Sequence, residues 1–332
     1  MKNENALLRI LKKDIKIDIL IIAFLAVIVF MAAAGGAKFY TSNNMQSIMF
    51  QIPEFALLAF GMMLCMLAGG IDLSVVAVAN LSSVLAAIFI KRLLESGSSE
   101  GSAMAAAIVI ALAASVLCGF INGLLIGKLN ILPILVTLSM MVLIQGFAKG
   151  ITHGSGITGF PQALLDFGTG TVGGIPIIFI MVIIIAVIIW FFLGNTRFGK
   201  DLYLYGDNKV VALFSAVNNA KVAIITYTVS GLLSGLSGLV MMARNNSAKV
   251  GYGDVYQLQA ILVCCIGGIN PEGGAGKTIG VCIAIVLLQF LQSGFNIMGY
   301  DPYAKKLIWG VVLIAVMIMD YFLARKAERR RV

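Results

Sequence analysis

The sequence predicts an all-α, polytopic integral membrane protein of about ten transmembrane helices, and three observations carry that expectation. Apolar residues make up 60% of the 332-residue chain and charged residues only 12%, about half the roughly 25% charge of an average soluble domain. The long apolar runs, such as 175–193 and 311–319, show no polar face, so they meet lipid or one another rather than water. The basic residues lie in short loops and near the ends rather than on one folded face. The net charge of +9 therefore reads as topology-setting charge beside membrane lipid, with no nucleic-acid partner.

Taking ~20 apolar residues for one crossing of a ~30 Å hydrocarbon layer, helices are expected near 18–36, 50–68, 72–91, 104–125, 133–150, 175–194, 220–243, 256–270, 276–295 and 305–324. After Ile19 the first apolar stretch runs on for membrane-spanning length and reads as a retained helix rather than a signal peptide. An even count puts both termini on one side. With both inside, 16 basic residues face the cytoplasm and 8 face out, the bias that orients bacterial membrane proteins. The chain then reads as one transmembrane domain, 1–332, in the cytoplasmic membrane, with short basic cytoplasmic tails at 1–17 and 325–332.

Two loops stand out by length. Residues 151–174, rich in Gly, Thr and Pro, are expected outside, and residues 195–219 inside. The inner loop is too polar to span, yet 210–217 is a short apolar run flanked by GDN and NN, the pattern of a small helix on the membrane surface. It is either a plain loop helix or a docking helix for a cytoplasmic partner. Val210, Leu213 and Phe214 fall on one face of it.

The tetrapeptides Gly69-Gly70-Ile71-Asp72 and Gly267-Gly268-Ile269-Asn270 each join two apolar helices, and internal repeats are common in transporters. The string GGAGKT ending at Thr278 is not a phosphate loop, because Pro271 occupies the required first glycine position. NPEGGAGKTIG reads instead as a tight joint in which Gly273, Gly274 and Gly276 permit unusual backbone angles. Asp72, just before an apolar helix, is expected to cap it, with a direct solute contact as the alternative. Amides interrupt the spans at Asn80, Asn122, Gln145, Gln289, Gln292 and Asn296. Singly each suits interhelical glue; together, with charge nearly absent from the spans, they suit a path for a neutral polar solute. The five cysteines fall in apolar stretches without a CxxC pair and read as core residues. His153 is the only histidine and no paired carboxylates, metal motif or nucleophile elbow accompanies it, so no catalytic site, cofactor or metal is expected.

GGIDLS with its Ser74, the inner loop FGKDLYLYGDNKVVALFSAVNNAKV and the joint IGGINPEGGAGKTIG together resemble the ribose-type permease family of bacterial ATP-binding cassette importers, over about residues 48–321. The resemblance implies a permease of about ten helices that pairs with a second permease subunit, identical or sister. It also implies two cytoplasmic ATPase domains and an extracytoplasmic solute-binding protein, with ATP hydrolysed on the partners. The inner loop would be the coupling element, carried here by Gly199, Gly206, Asp207, Asn208, Ala212 and Ser215. The sequence departs from the family's usual pattern at Asp207, at Ala216-Val217, and at Val75-Val76, where a glycine is usual. A simple sugar is the expected solute. An ion-coupled secondary transporter is the alternative, and a membrane-bound enzyme a third class.

Overall fold

No water reaches the hydrocarbon layer to satisfy a backbone N–H or C=O, so a spanning segment must close its own hydrogen bonds as a helix. The structure, a computed structural model, describes residues 15–328, and each of the ten apolar segments is helical in it. Helices α1 (Ile15–Gly35), α2 (Ser42–Leu67), α3 (Val75–Glu95), α4 (Glu100–Lys128) and α5 (Pro133–Thr152) precede a short helix, α6 (Gln162–Thr169). Then α7 (Ile177–Asn195) leads into α8 (Arg197–Asp207) and α9 (Lys209–Phe214). Four more follow: α10 (Asn219–Asn245), α11 (Asp254–Ile266), α12 (Thr278–Ile297) and α13 (Pro302–Glu328). The expected basic tails lie outside the described residues except for 15–17 and 325–328, which continue α1 and α13.

Among the described residues seven helices, α2 to α5, α7, α10 and α12, are long and apolar enough to cross a membrane. The expected span at 256–270 is corrected: α11 has 13 residues, about 20 Å at ~1.5 Å per residue, and stops short of a full crossing. The expectation for 151–174 as plain loop also changes. That stretch holds α6 and two tiny antiparallel pairings, β1 (Ile157–Thr158) with β4 (Ser247–Ala248) and β2 (Thr171–Val172) with β3 (Ile175–Pro176).

The chain starts its helices with local chemistry. Asn208 and Asn218 cap α9 and α10 by accepting from Val210 N (2.9 Å) and Lys221 N (2.9 Å), satisfying donors that a helix start leaves open. Pro133 opens α5 at a position where its missing N–H is not needed.

Helices α2, α3 and α10 are mostly buried inside the bundle, while α4, α5 and α7 are mostly exposed on wide apolar faces, which suits a lipid boundary. The tightest seam joins α4 to α10. A side chain on Gly123 would stand 2.6 Å from Ile224 Cα and one on Gly119 3.1 Å from Gly231 Cα. Small residues spaced by four let two helix backbones approach closely enough for dispersion contact, the main attraction between helices in lipid.

Candidate functional site

The three sequence motifs meet at one end of the bundle. α2 ends at Leu67 with Gly69 left-handed (φ +75°), where Gly69 N donates to Met66 O (2.9 Å) and Gly70 N to Cys65 O (3.0 Å). α11 ends at Ile266 with Gly268 left-handed (φ +84°), where Gly268 N donates to Cys265 O (3.0 Å) and Ile269 N to Cys264 O (2.9 Å). Both are the paired C-terminal closure that a left-handed glycine permits. The two helix ends close alike, with Gly69 at the place of Gly268, one residue off the sequence match, while the turns that follow keep that match. Each joint continues with an Asx turn, Asp72 Oδ1 accepting from Ser74 N (3.0 Å) and Asn270 Oδ1 from Glu272 N (3.2 Å).

The end of α8 is wedged between these joints, backbone to backbone. Gly274 N donates to Leu67 O (3.0 Å) across the two joints. A side chain on Gly206 would overlap the Leu67 carbonyl and stand 2.7 Å from Gly274 N, and one on Gly273 would lie 2.6 Å from Gly206 O. Only glycine lets three backbones share this space. Tyr203 Oη donates to Gly276 O (2.9 Å); burial pushes this phenol above its ordinary pKa, so it remains a protonated donor. Within α8, Gly199 is buried in the first turn, its N–H donating to Thr196 Oγ1 (3.2 Å).

From this anchored end, α9 projects. It is held at its start by Asn208 and by Asn219 Nδ2, which donates to Lys209 O (2.8 Å). At its end Ser215 N and Val217 N close onto Val211 O and Ala212 O (2.9 and 3.0 Å). Asp207, against Gly274, is the last residue before that cap. Ala212 alone turns inward. Val210, Leu213 and Phe214 are 62, 64 and 87% exposed and Val211 is exposed beside them, a rigid apolar ridge with nothing covering it in the isolated chain.

Asp72 is not the cap of α3; that position falls to Ser74, whose side chain makes no capping bond. Asp72 is buried and turned sideways because four donors converge on it: Ser74 N, Ser74 Oγ (2.6 Å), the Cys65 thiol (3.9 Å) and, from α10, Ser230 Oγ (2.8 Å). Asn122 Nδ2 extends the network to Ser74 Oγ (3.0 Å). The carboxylate thus ties α3, α4 and α10 to the joint, with Gly70 pressed against Tyr227 and Pro133 and leaving no room for a side chain.

The six amides are not gathered into one place. Asn122 belongs to the Asp72 network. Gln289 Nε2 donates to Gln51 Oε1 (2.9 Å), tying α12 to α2. Asn296 accepts from Lys305, and Gln145 is half-buried on α5. Asn80 Nδ2, Asn122 Oδ1 and Gln292 Oε1 are buried without a hydrogen-bond partner, open to water or solute.

Sequence reasoning missed a charged pair inside the bundle. Glu54, within α2 and buried, lies 2.8 Å from Arg244 of α10, and accepts from Tyr256 Oη at 3.1 Å. Arg244 Nη1 also reaches Phe50 O (3.3 Å). The signal was present: Glu54 falls inside the 50–68 apolar segment, and a carboxylate there demands a partner.

A helical bundle with lipid-facing apolar walls, a broken hydrophobic interior and one exposed apolar helix at its end defines a polytopic membrane transport subunit. Residues 44–317 match the family described as the permease component of the branched-chain amino acid transport system, and the chain belongs to that family. It is 32% identical to the ribose import permease protein RbsC of Escherichia coli K12 over 300 residues, covering 89% of this chain and 91% of the relative. The RbsC of Bacillus subtilis gives 32% over 298 residues, 89% and 90% of the two chains. The autoinducer 2 import system permease protein LsrD of Photorhabdus luminescens gives 30% over 268 residues, 79% and 78%. No solved structure matches significantly. The chain is thus a multi-pass inner-membrane permease subunit of an ATP-binding cassette importer, a transport subunit rather than an enzyme, in a family that works with ATPase and solute-binding components.

Proposed function

We propose that α8 and α9 form the coupling element, with α9 seated on a cytoplasmic ATPase and the permease working beside a second permease subunit, identical or sister. Both termini then lie in the cytoplasm, on the side of the 16 basic residues, and 1–332 acts as one permease domain. The single observation that carries this is the exposed apolar ridge of α9, held rigid by caps at both ends and wedged by Gly206 against two helix joints. Burying a large apolar side chain such as Phe214 contributes about 1.5–3 kcal/mol, and a helix pinned in place pays little ordering entropy on docking.

The solute is a small neutral polyol of the simple-sugar kind, handed over by an extracytoplasmic binding protein. Support comes from the relatives named for ribose and autoinducer 2 import and from partnerless buried amides at Asn80, Asn122 and Gln292. The translocation path is proposed to run past these and past Gln145, Gln289 and Asn296, with the glycine joints as its structural frame. The test is ATP-dependent uptake in reconstituted membranes by the complex carrying Leu213→Ala with Phe214→Ala. ATPase detachment or uncoupled hydrolysis is expected, with membrane insertion unchanged. Full ATP-dependent transport would remove α9 as the coupling element, and gradient-driven uptake by the lone chain would favour an ion-coupled carrier.

A further inference from the structure

The geometry points to a solute-binding site inside the permease itself: the cavity around Glu54 and Arg244 receives the polyol on its way in. This rests on the reading of the chain as a sugar permease and adds where the permease makes contact with the sugar. The cavity measures about 430 Å³ and is lined by Glu54, Arg244, Asn245, Tyr252 and Tyr256, a volume within the roughly 300–1,000 Å³ of small-molecule sites.

Its position fits the task. α10 runs from Asn219, beside α9, to Asn245, so Arg244 lies at the end of the bundle opposite the coupling loop. Glu54 lies near the start of the apolar part of α2, and Arg244, Asn245 and Tyr252 lie in the last turn of α10 and the loop after it, so the cavity opens at that end of the bundle, where a solute arriving from the far side of the coupling loop enters first.

Its chemistry selects the ligand class. An ionisable residue within a span is costly, usually paired, and a functional-site candidate by default. Glu54 and Arg244 neutralise one another at 2.8 Å, so the walls offer strong acceptors and donors without net charge and give no preference for an ion. Two of the guanidinium's contacts are taken by Glu54 and Phe50 O; with five N–H donors in all, it keeps donors for a ligand. The carboxylate can accept more bonds than it receives from Arg244 and Tyr256. A sugar hydroxyl both donates and accepts, so vicinal hydroxyls can bridge the pair, while Tyr252 and Tyr256 supply flat apolar faces for the sugar's C–H surface. A purely structural ion pair would need neither the cavity nor the two tyrosines.

The test uses the permease reconstituted with its ATPase and binding protein. D-ribose, D-xylose and D-galactose are offered, and whichever the wild-type complex imports becomes the probe. Glu54→Met with Arg244→Met replaces the pair by apolar groups of similar length without leaving either charge alone, which keeps the fold. Expected is a rise of at least tenfold in the KM for import. In a cysteine-free background, Asn245→Cys should be labelled by a small thiol reagent at least threefold more slowly when the probe sugar is present at millimolar concentration. An unchanged KM in a folded double variant, or labelling indifferent to sugar, would overturn the site while leaving the permease reading intact. Protection alone decides if the double variant does not insert. A wild-type complex that imports none of the three sugars would overturn the sugar reading and the site together.

Discussion

Phe214 is the sharpest place to press the coupling proposal, because its side chain is 87% exposed in the isolated chain and has no role in the permease's own packing. Phe214→Ala should leave permease stability within about 0.5 kcal/mol, the usual range for surface substitutions. If α9 is docked, the same change withdraws a large apolar side chain from a buried interface. Burying Phe fully contributes about 1.5–3 kcal/mol, and at 1.4 kcal/mol per tenfold the ATPase should bind roughly 10- to 150-fold more weakly. The assay is titration of purified ATPase onto permease held in lipid nanodiscs, read beside thermal unfolding of the permease alone. A loss under about threefold, with unfolding unchanged, would refute the docking of α9. A large loss in both measurements would show Phe214 acting within the permease fold instead.

Gly206→Ala should lower the thermal midpoint of the permease, by about 1–3 kcal/mol of overpacking strain, because the new methyl overlaps the Leu67 carbonyl; an unshifted midpoint would mean the joints can part freely. Asp72→Leu leaves Ser74 N–H and the Ser74 and Ser230 hydroxyls facing an apolar group, at about 1–3 kcal/mol for each donor that finds no substitute. Asp72→Asn keeps an acceptor and should retain most of that stability, and equal damage from both variants in thermal unfolding would make the charge itself essential. For topology, an impermeant thiol reagent added to intact cells should label Phe167→Cys in α6, with Lys200→Cys labelled only after permeabilisation, both in a cysteine-free background. The opposite pattern would reverse the orientation.

What the sequence made legible was the helix inventory, because hydrophobicity around the whole circumference of a segment is enforced by lipid and leaves an unambiguous trace. All ten segments are helical, and Val210, Leu213 and Phe214 are exposed on α9 together with Val211. Length near the ends was less legible: α11 stops at Ile266 because the glycine pair after it closes the helix, and a hydropathy window cannot see a cap. Asp72 looked like a cap from its place in the sequence, but Ser230, 158 residues away, draws the carboxylate sideways. A still longer separation in sequence hid the partnership of Glu54 with Arg244, although each residue was in plain view. The close α4–α10 seam had a readable signal in Gly119, Gly123 and Gly127 spaced by four, since that spacing stacks glycines on one helix face.

The two proposed sites are linked by a single helix. α2 ends at Leu67, whose carbonyl accepts from Gly274 N and faces Gly206 at the base of the coupling loop. Thirteen residues back, about 20 Å along the same rod, it presents Glu54 to Arg244 and the cavity. Between these points α2 is buried on nearly every side, and a packed helix shifts as a body more readily than it bends. Its one weak point is Pro53, which breaks the hydrogen-bond ladder beside Glu54. If α9 docks as proposed, a displacement imposed at Gly206 would be expected to reach Glu54 along this packed helix, with Pro53 as the place where α2 yields; an unchanged Glu54–Arg244 spacing on ATPase docking, read by spin labels on the two helices, would refute that link.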